Sequence, residues 1–244
     1  MNKLIHKWIQ VYLKCYINLI LYHRNLYPAA SFDFTTYQAF NLPQFIPINR
    51  HSGLQSYIEE LIDDILSKIL HIYKVSVCIV TKDEGTCIER YVLDFGEFRH
   101  VDEIGSLSES EVYDEFRSSL NSLISKLEKL TPINDDLVTF EIAINTTELR
   151  LGQLAESMRD TSNEREAKEF NRDTNWVKCK EEDYIPYSGV QNGPICSKIK
   201  MISLVGCDIG PLVIYNYLEQ LISTADNLSC LHANKRSLNI PSSL

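Results

Sequence analysis

The sequence predicts an α+β domain in which three helices pack against an antiparallel sheet. Three segments carry apolar residues with the period of an amphipathic helix, and several shorter segments alternate apolar and polar residues as half-buried strands do. The chain has 244 residues, of which 44% are hydrophobic and 23% are charged. That composition is ordinary for one large domain or two small ones, and it is sufficient to bury a sizeable core.

The first helix is predicted from the apolar stretch between Trp8 and Tyr22. Lys14 and Asn18 interrupt this stretch, leaving an apolar run of about seven residues where a membrane span needs roughly twenty. The apolar residues lie along one broad helical face, namely Ile5, Ile9, Tyr12, Leu13, Tyr16, Ile20 and Leu21. The polar residues recur on the other face, namely Lys7, Gln10, Lys14 and Asn18. We therefore expect a helix that packs on the core, and not a signal peptide or a membrane span.

A connector and a second helix follow. Residues 27–50 contain Pro28, Pro43 and Pro47 and many aromatic residues, which predicts extended pieces that cross the surface. The helical period returns between Gly53 and Ile72. Its apolar positions are Leu54, Ile58, Leu61, Ile62, Ile65 and Ile69. We expect a second core helix over that range.

A hairpin, a third helix and a strand come next. Segments 75–80 and 87–95 flank turn-forming residues at 82–85, which predicts a β-hairpin. Ser108 and Glu111 have the spacing of a capping box and mark the start of a third amphipathic helix that extends to Leu130. Pro132 and the acidic turn at 134–136 end that helix. Residues 138–145 then alternate as a strand with one buried face.

The last third of the chain has a different composition. Between residues 152 and 175 there are ten charged residues and few apolar ones, so little apolar surface offsets the entropy of ordering. We expect a mobile or weakly helical loop there. Order is predicted to resume at 176–179, to break across 181–194, and to return as strands at 199–205 and 212–218. The polar residues from Ser223 onward are predicted to fray.

Several classes of function are disfavoured by charge and spacing. Lys and Arg number 24 against 33 Asp and Glu, a net charge of −9, which is the wrong sign for sequence-independent DNA binding by counterion release. The seven cysteines have no zinc-like spacing and fit a reducing compartment, and the six histidines form no ligand motif. Asp63 and Asp64 are adjacent on a helix and do not converge on one point. We expect no metal, no cofactor and no catalytic residue.

Seven stretches carry a resemblance that spans almost the whole chain. They are VYLKCYINLILYHRNLYP (11–28), YQAFNLPQFIPINRH (37–51), YIEELIDDILSK (57–68), IERYVLDF (88–95), DEFRSSLNSLISKLEKL (114–130), DTNWVKCKE (173–181) and SLVGCDIGPLVI (203–214). In these stretches the sequence resembles the HORMA domain family, and within it the accessory subunits of translesion DNA polymerase zeta. The charged segment at 152–175 and the residues beyond 223 have no clear match.

The resemblance implies a HORMA domain over 1–222, followed by a polar tail at 223–244. Its core would cover about 1–145 and its C-terminal safety belt about 145–222. In this family the belt closes over a short extended peptide of a partner, which pairs as a strand beside the core sheet. A chain of this kind is a non-catalytic accessory subunit that captures a proline-containing segment of the polymerase's catalytic subunit. That role supports translesion synthesis and damage-induced mutagenesis.

Other functions remain open on the sequence. A mitotic or meiotic checkpoint HORMA adaptor would share the fold and differ in its client, and an unidentified enzyme is a third hypothesis. The expected location is the nucleus, with the mitochondrion as an alternative. Because the sequence has no cluster of five or more basic residues, we expect nuclear import to depend on a partner.

The resemblance also assigns roles to individual residues. Tyr57 and Trp176 match the positions that clamp the client peptide, and Arg117 matches an arginine in the surface through which HORMA domains dimerise. The alternatives are that Tyr57 flanks the core helix, that Trp176 anchors the belt, and that Arg117 is a solvated helix residue. Self-association could be a homodimer, or two copies could occupy tandem client segments.

A second surface is implied in the belt strands. Ile195, Val213 and Tyr215 match the region that contacts the deoxycytidyl-transferase scaffold protein of lesion bypass. Animal-type members carry a polar residue at the position of Val213 and have a shorter loop before Cys207, so this sequence departs from their pattern. Burial in the core is the alternative interpretation for these residues.

Overall fold

The computed structural model describes residues 3–35, 40, 42, 46–69, 71–83, 85–95, 108–133, 136–146, 176, 198–208 and 213–222. Its helices and strands are α1 (Lys3–His23), β1 (Phe32–Thr35), β2 (Ile46–Asn49), α2 (Ser52–Ser67), β3 (Ile72–Thr81), β4 (Cys87–Asp94), α3 (Glu109–Leu127), β5 (Val138–Thr146), β6 (Lys198–Asp208) and β7 (Val213–Ile222). The predicted charged loop at 152–175 and the predicted tail from Ser223 lie outside the described residues.

Five strands form the main sheet in the order β5-β3-β4-β7-β6, and every neighbouring pair is antiparallel. The predicted hairpin is confirmed as β3 and β4, in which Val77 lies opposite Tyr91. β1 and β2 form a separate two-stranded sheet, so the extended pieces expected in the connector are present and also pair with each other. The β6–β7 hairpin lies against β4, at the end of the sheet opposite β5.

Helix α1 is more buried than its amphipathic pattern predicts. Asn18, assigned to the polar face, is only 2% exposed. Its Oδ1 accepts from the backbone N–H of Asn49 at 3.2 Å, and its Nδ2 donates to the Lys14 carbonyl at 2.9 Å. The α1 helix contacts β2, α2 and α3, whereas Lys7 on its polar face is exposed to solvent. The prediction that Asn18 lies on a polar, solvent-facing side of the first helix was therefore wrong.

The helix ends match the sequence signals unevenly. The capping box at the start of α3 is confirmed, since the Glu111 N–H donates to Ser108 Oγ at 3.2 Å and the Ser108 N–H donates to Glu111 Oε2 at 3.1 Å. The prediction that the second helix extends to Ile72 was wrong. α2 ends at Ser67, and Ile72 begins β3. Ile69 and Ile72 are buried in the core although they follow α2, so the periodic spacing of apolar residues extends past the end of the helix.

One buried polar network fixes β7 on the helices. Asn216 is 2% exposed, and its Oδ1 accepts from the Tyr16 hydroxyl at 2.9 Å. Its Nδ2 lies 3.3 Å from Ser119 Oγ, which is itself 2.8 Å from the Tyr12 hydroxyl. The network therefore ties β7 to both α1 and α3, and a shift of β7 along β4 would leave these buried groups unpaired.

A buried ion pair forms the second network beneath β7. Arg24 is 0% exposed and donates twice to Glu89, at 2.8 and 2.9 Å, in a bidentate pair. Glu89 also accepts from the Tyr91 hydroxyl at 2.9 Å and from Gln220 Nε2 of β7 at 3.0 Å. Burial is the main cause that raises the pKa of Tyr91, and the neighbouring Glu89 carboxylate adds to it.

The β6–β7 pairing contains a bulge at a required glycine. The register shifts between Leu204 and Cys207, so two residues of β6 face one residue of β7. A Cβ atom on Gly206 would lie 2.1 Å from the backbone carbonyl oxygen of Ile214. Only glycine allows this approach of the two backbones.

Two features of the described residues bear on function. No described helix is both long and apolar enough to cross a membrane. No group of three or more His, Cys, Asp or Glu side chains in the described part of the chain could hold a metal ion.

Candidate peptide-binding site

Strand β5 provides an edge on which an extended peptide could pair. It is hydrogen-bonded to β3 on one side, with Ile142 opposite Val77, and no described strand lies on its other side. Its half-buried residues Phe140, Ile142 and Ile144 pack against the core. An edge of this kind offers backbone N–H and C=O groups to an incoming chain.

Three aromatic rings line this edge beside α2. The Tyr57 side chain is 46% exposed, and its ring centroid lies 6.2 Å from that of Phe140 at an angle of 72°. The ring centroid of Tyr27 lies 6.3 Å from the same Phe140 ring. Burial raises the pKa of Tyr57, with smaller contributions from Tyr27 and Glu141. The exposed part of Tyr57 is therefore available to a segment that runs along β5.

Trp176 contacts the same helix, α2. Its half-buried ring packs against the core, and its indole N–H donates to Asp64 Oδ2. Asp64 also accepts from Lys68, the residue that follows the last residue of α2. Tyr57 and Asp64 are seven residues apart, which places them on one face of α2 about 10.5 Å apart along the axis. The structure thus brings Tyr57 and Trp176 to one side of one helix.

The roles of these two residues as peptide clamps stay predictions. The contact of Trp176 with Asp64 fixes the indole against α2, which agrees with the alternative that Trp176 is an anchor. The remaining aspartate of the pair has a structural partner too, since Asp63 Oδ1 accepts from Gln10 Nε2 at 3.0 Å. Both carboxylates therefore contribute to packing on α2.

Arg117 lies apart from this edge, on α3. It is half-buried, and its Nε is buried without a hydrogen-bond partner in the described part of the chain. A desolvated donor of this kind is costly. Because Nε is itself buried, a group from another molecule could not reach it in this conformation. The predicted dimer contact through Arg117 stays a prediction.

The predicted scaffold-protein residues fall on the other end of the sheet. Tyr215 is 49% exposed and Val213 is half-buried, so Tyr215 is not a core residue. Ile195 lies outside the described residues. Tyr215 belongs to an exposed apolar surface that we call the hairpin face, formed by Ile199, Met201, Val205, Val213 and Tyr215. A shallow cavity of about 310 Å³ opens between Met201, Gly206 and Tyr215 on this surface.

Sequence reasoning missed three residues at the β5 edge. Tyr27 and Phe140 complete the aromatic group around Tyr57, and Asp64 positions Trp176. Phe140 was visible only as one apolar position in an alternating strand, and Tyr27 only as the residue before Pro28. No sequence signal placed either ring beside Tyr57, because the three residues are distant along the chain, in the loop after α1, in α2 and in β5.

Comparisons with known proteins agree on the family. The model of the HORMA domain family matches residues 6–148. The chain is 56% identical over 229 residues to the DNA polymerase zeta processivity subunit of Saccharomyces cerevisiae, covering 93% of this chain and 92% of that protein.

Solved structures share the fold at low sequence identity. A chain in a crystal structure of the Mitotic Checkpoint Complex is 15% identical with a TM-score of 0.62, covering 89% of this chain and 99% of that one. HTP-2 of C. elegans bound to a HIM-3 closure motif is 11% identical with a TM-score of 0.56, covering 88% and 90%. These likenesses show the fold alone. The family match and the yeast relative show that this chain belongs to the HORMA domain family.

Proposed function

We propose that this chain is the non-catalytic accessory subunit of DNA polymerase zeta and acts in translesion synthesis and damage-induced mutagenesis. The observation that carries the proposal is 56% identity to the yeast processivity subunit along nearly the full length of both proteins. The likeness to the Mitotic Checkpoint Complex is at 15% identity and carries no argument for a checkpoint role. We also propose that the chain acts in the nucleus.

We infer that a proline-containing segment of the catalytic subunit pairs along β5 and passes between Tyr57 and Trp176. The free side of β5 among the described strands supports backbone pairing, and Tyr57, Phe140 and Tyr27 offer rings to an apolar side chain. Proline has no backbone N–H, so it is tolerated at strand positions whose N–H would point away from the partner strand. The segment following β5 contains Trp176, whose contact with Asp64 would hold that part of the chain across the bound peptide.

The hairpin face is the proposed contact for the deoxycytidyl-transferase scaffold protein. Ile199, Met201, Val205 and Tyr215 are four large apolar residues that are 43%, 65%, 51% and 49% exposed on one hairpin. An exposed apolar group of this kind is typical of a protein interface. β3 and β4 separate it from β5, so one chain could hold both partners at once.

The decisive experiment pairs two tyrosines of equal exposure. A peptide from the catalytic subunit should dissociate faster from Tyr57→Ala and from Trp176→Ala, with affinity lowered about thirtyfold for a hot spot of about 2 kcal/mol. Tyr215→Ala is the matched control, because its ring is 49% exposed against 46% for Tyr57. It should keep peptide affinity and lose affinity for the scaffold protein.

The outcomes separate the two sites. If Tyr57→Ala and Trp176→Ala release the peptide at the rate of the unchanged chain, the clamp assignment is wrong. If Tyr215→Ala weakens both partners equally, misfolding and not a specific contact explains the result. Failure of the intact chain to bind the catalytic subunit at all would overturn the proposed function.

Self-association through Arg117 is tested separately. Arg117→Ala should shift the chain towards monomer in analytical ultracentrifugation while leaving peptide capture unchanged. Lys129→Ala, an exposed basic residue just beyond α3, is the matched control and should leave the oligomeric state as it was. Equal dissociation of the dimer in both variants would point to net charge and not to the guanidinium of Arg117.

A further inference from the structure

Strand β6 forms the second edge of the main sheet, at the end opposite β5. It pairs with β7 on one side, and no described strand lies on its other side. Helix α3 covers the C-terminal half of this edge. The N–H of Val205 donates to Ser122 Oγ at 3.0 Å, and the N–H of Asp208 donates to Glu115 Oε2 at 2.9 Å. Side chains of α3 therefore take the place of a further strand at these two positions.

The N-terminal half of the same edge has no such cover among the described residues. The N–H of Val205 points away from β7, and backbone groups repeat their direction at every second residue of a strand. Ile199, Met201 and Ser203 therefore present their N–H and C=O groups on the outer side of β6. No hydrogen bond from the described part of the chain satisfies these outward groups. We call residues 199–203 the open edge.

Two lysines at the C-terminal end of α3 lie towards the open edge. Successive contacts from Glu115 to Ser122 move back along β6, so α3 and β6 run in opposite directions. Lys126 lies one turn beyond Ser122 on the same face of α3. Lys129 follows just past the end of the helix and is exposed. Both charges therefore continue the line of α3 contacts into the part of β6 that the helix leaves uncovered.

Lys200 contributes a third positive charge from β6 itself. Side chains alternate between the two faces of a strand, so Lys200 shares the helix side of the sheet with Ile202, which packs against the core. The Lys200 side chain is exposed. None of the three lysines forms an ion pair with a carboxylate of the described residues. A chain with a net charge of −9 thus carries a local positive site beside the open edge.

These charges select among the strands that could pair with the open edge. Pairing of two β6 strands from two copies of this chain would bring both sets of lysines together, and like charges on facing strands are destabilising. Lysine at a sheet edge opposes self-pairing for this reason. A strand that carries carboxylates has no such penalty, because its charges complement those of the three lysines.

We propose that the open edge binds an acidic, extended segment of a partner protein by strand addition. The backbone groups of Ile199, Met201 and Ser203 pair with the segment. Because side chains of the added strand alternate, acidic residues on the helix side meet the three lysines, and apolar residues on the outer face meet Ile199 and Met201, which are 43% and 65% exposed. The inference does not depend on the client of β5, since the two edges lie at opposite ends of the sheet.

The probe is a fluorescently labelled peptide of seven residues that alternates glutamate and valine and begins and ends with glutamate. Its binding to the full chain is measured by fluorescence anisotropy. One control peptide has lysine in place of every glutamate, and a second has N-methyl groups at alternate backbone nitrogens, which prevents strand pairing. We expect both controls to bind at least about tenfold more weakly, the loss expected from two or more backbone hydrogen bonds. Equal affinity of the probe and either control overturns the proposal.

Amide hydrogen exchange measured by NMR locates the probe. The amides of Ile199, Met201 and Ser203 should exchange more slowly in the complex, and those of β5 should not change. Protection of β5 alone would overturn this inference and leave the proposed client site in place. If the three β6 amides already exchange in the free chain as slowly as those of the central strand β3, the edge is occupied by this chain or by a second copy, and the proposal is wrong.

Variants assign the charge contribution. Lys200→Glu should lower probe affinity by about fivefold, the size expected for an exposed ion pair. Lys7→Glu, which reverses an exposed lysine of α1, is the matched control and should leave the affinity unchanged. Equal losses in both variants would mean that net charge and not the open edge attracts the probe. Tyr215→Ala should also keep probe affinity, which separates this site from the contact proposed for the scaffold protein. The peptide comparisons and the exchange measurement use the unchanged chain, so a variant that does not fold leaves them intact.

Discussion

Replacing Asn216 by leucine tests whether polar contacts fix β7 on the core. Asn216 accepts from the Tyr16 hydroxyl at 2.9 Å and donates to Ser119 Oγ at 3.3 Å and to the Val205 carbonyl at 3.4 Å. Leucine has a similar volume and no polar atom. The Tyr16 hydroxyl then loses this acceptor inside the core, whereas Ser119 keeps its contact with Tyr12.

A buried polar group left without a partner costs about 1–3 kcal/mol. Three groups lose their contact with Asn216, and Ser119 is the one that keeps a second contact, with Tyr12. Burial of the leucine side chain offsets part of the loss. We expect Asn216→Leu to lower the free energy of unfolding by about 2 kcal/mol.

Urea denaturation of a double-mutant cycle separates the hydrogen bond from packing. Tyr16→Phe alone should destabilise the chain because Asn216 Oδ1 loses its donor. Tyr16→Phe combined with Asn216→Leu removes both members, so the double variant should be more stable than the sum of the single effects predicts, by at least about 1 kcal/mol. Asn121→Leu, at a half-exposed position of α3, is the control and should change stability by less than about 0.5 kcal/mol. Additivity within about 0.5 kcal/mol would refute the argument.

Three further predictions concern stability. Glu89→Gln should lower the free energy of unfolding by about 3–5 kcal/mol because it leaves the buried Arg24 charge uncompensated. The double variant Arg24→Met with Glu89→Leu should regain most of that loss. A cost below about 1 kcal/mol for Glu89→Gln alone would contradict this prediction. Gly206→Ala should cost about 1–3 kcal/mol from its clash with the Ile214 carbonyl, while Gly53→Ala, which meets only the His51 ring, serves as the control; equal melting temperatures for the two variants would argue against a required glycine. Burial lowers the pKa of His23, so the unfolded chain binds more protons and stability falls as pH drops below about 6.5. The free energy of unfolding, measured by denaturation at each pH, should fall less steeply for His23→Gln than for the unchanged chain between about pH 7 and about pH 5. Equal pH dependence of the two proteins would exclude His23 as the cause.

Local pattern in the sequence determined the elements and the fold class. The capping box of Ser108 and Glu111 marked the start of α3, and alternation at 138–145 identified β5 to within one residue. Such signals succeed because a helix turn or a strand repeat involves residues that are neighbours along the chain. The predicted roles of Tyr57, Trp176 and Arg117, and the predicted client, came from the family resemblance and not from periodicity. The family match and the yeast relative show the HORMA family itself.

Tertiary structure alone decided which surfaces meet. Arg24 resembles any surface arginine in the sequence, and it is buried because Glu89 reaches it from β4, 65 residues away. Asn18 was assigned to water and lies inside because β2 covers it. Trp176 contacts Asp64 across 112 residues, and Tyr27, Tyr57 and Phe140 come together from a loop, a helix and a strand. A periodic pattern tells that a face is buried but carries no information about its partner, which depends on contacts between residues that are distant along the chain.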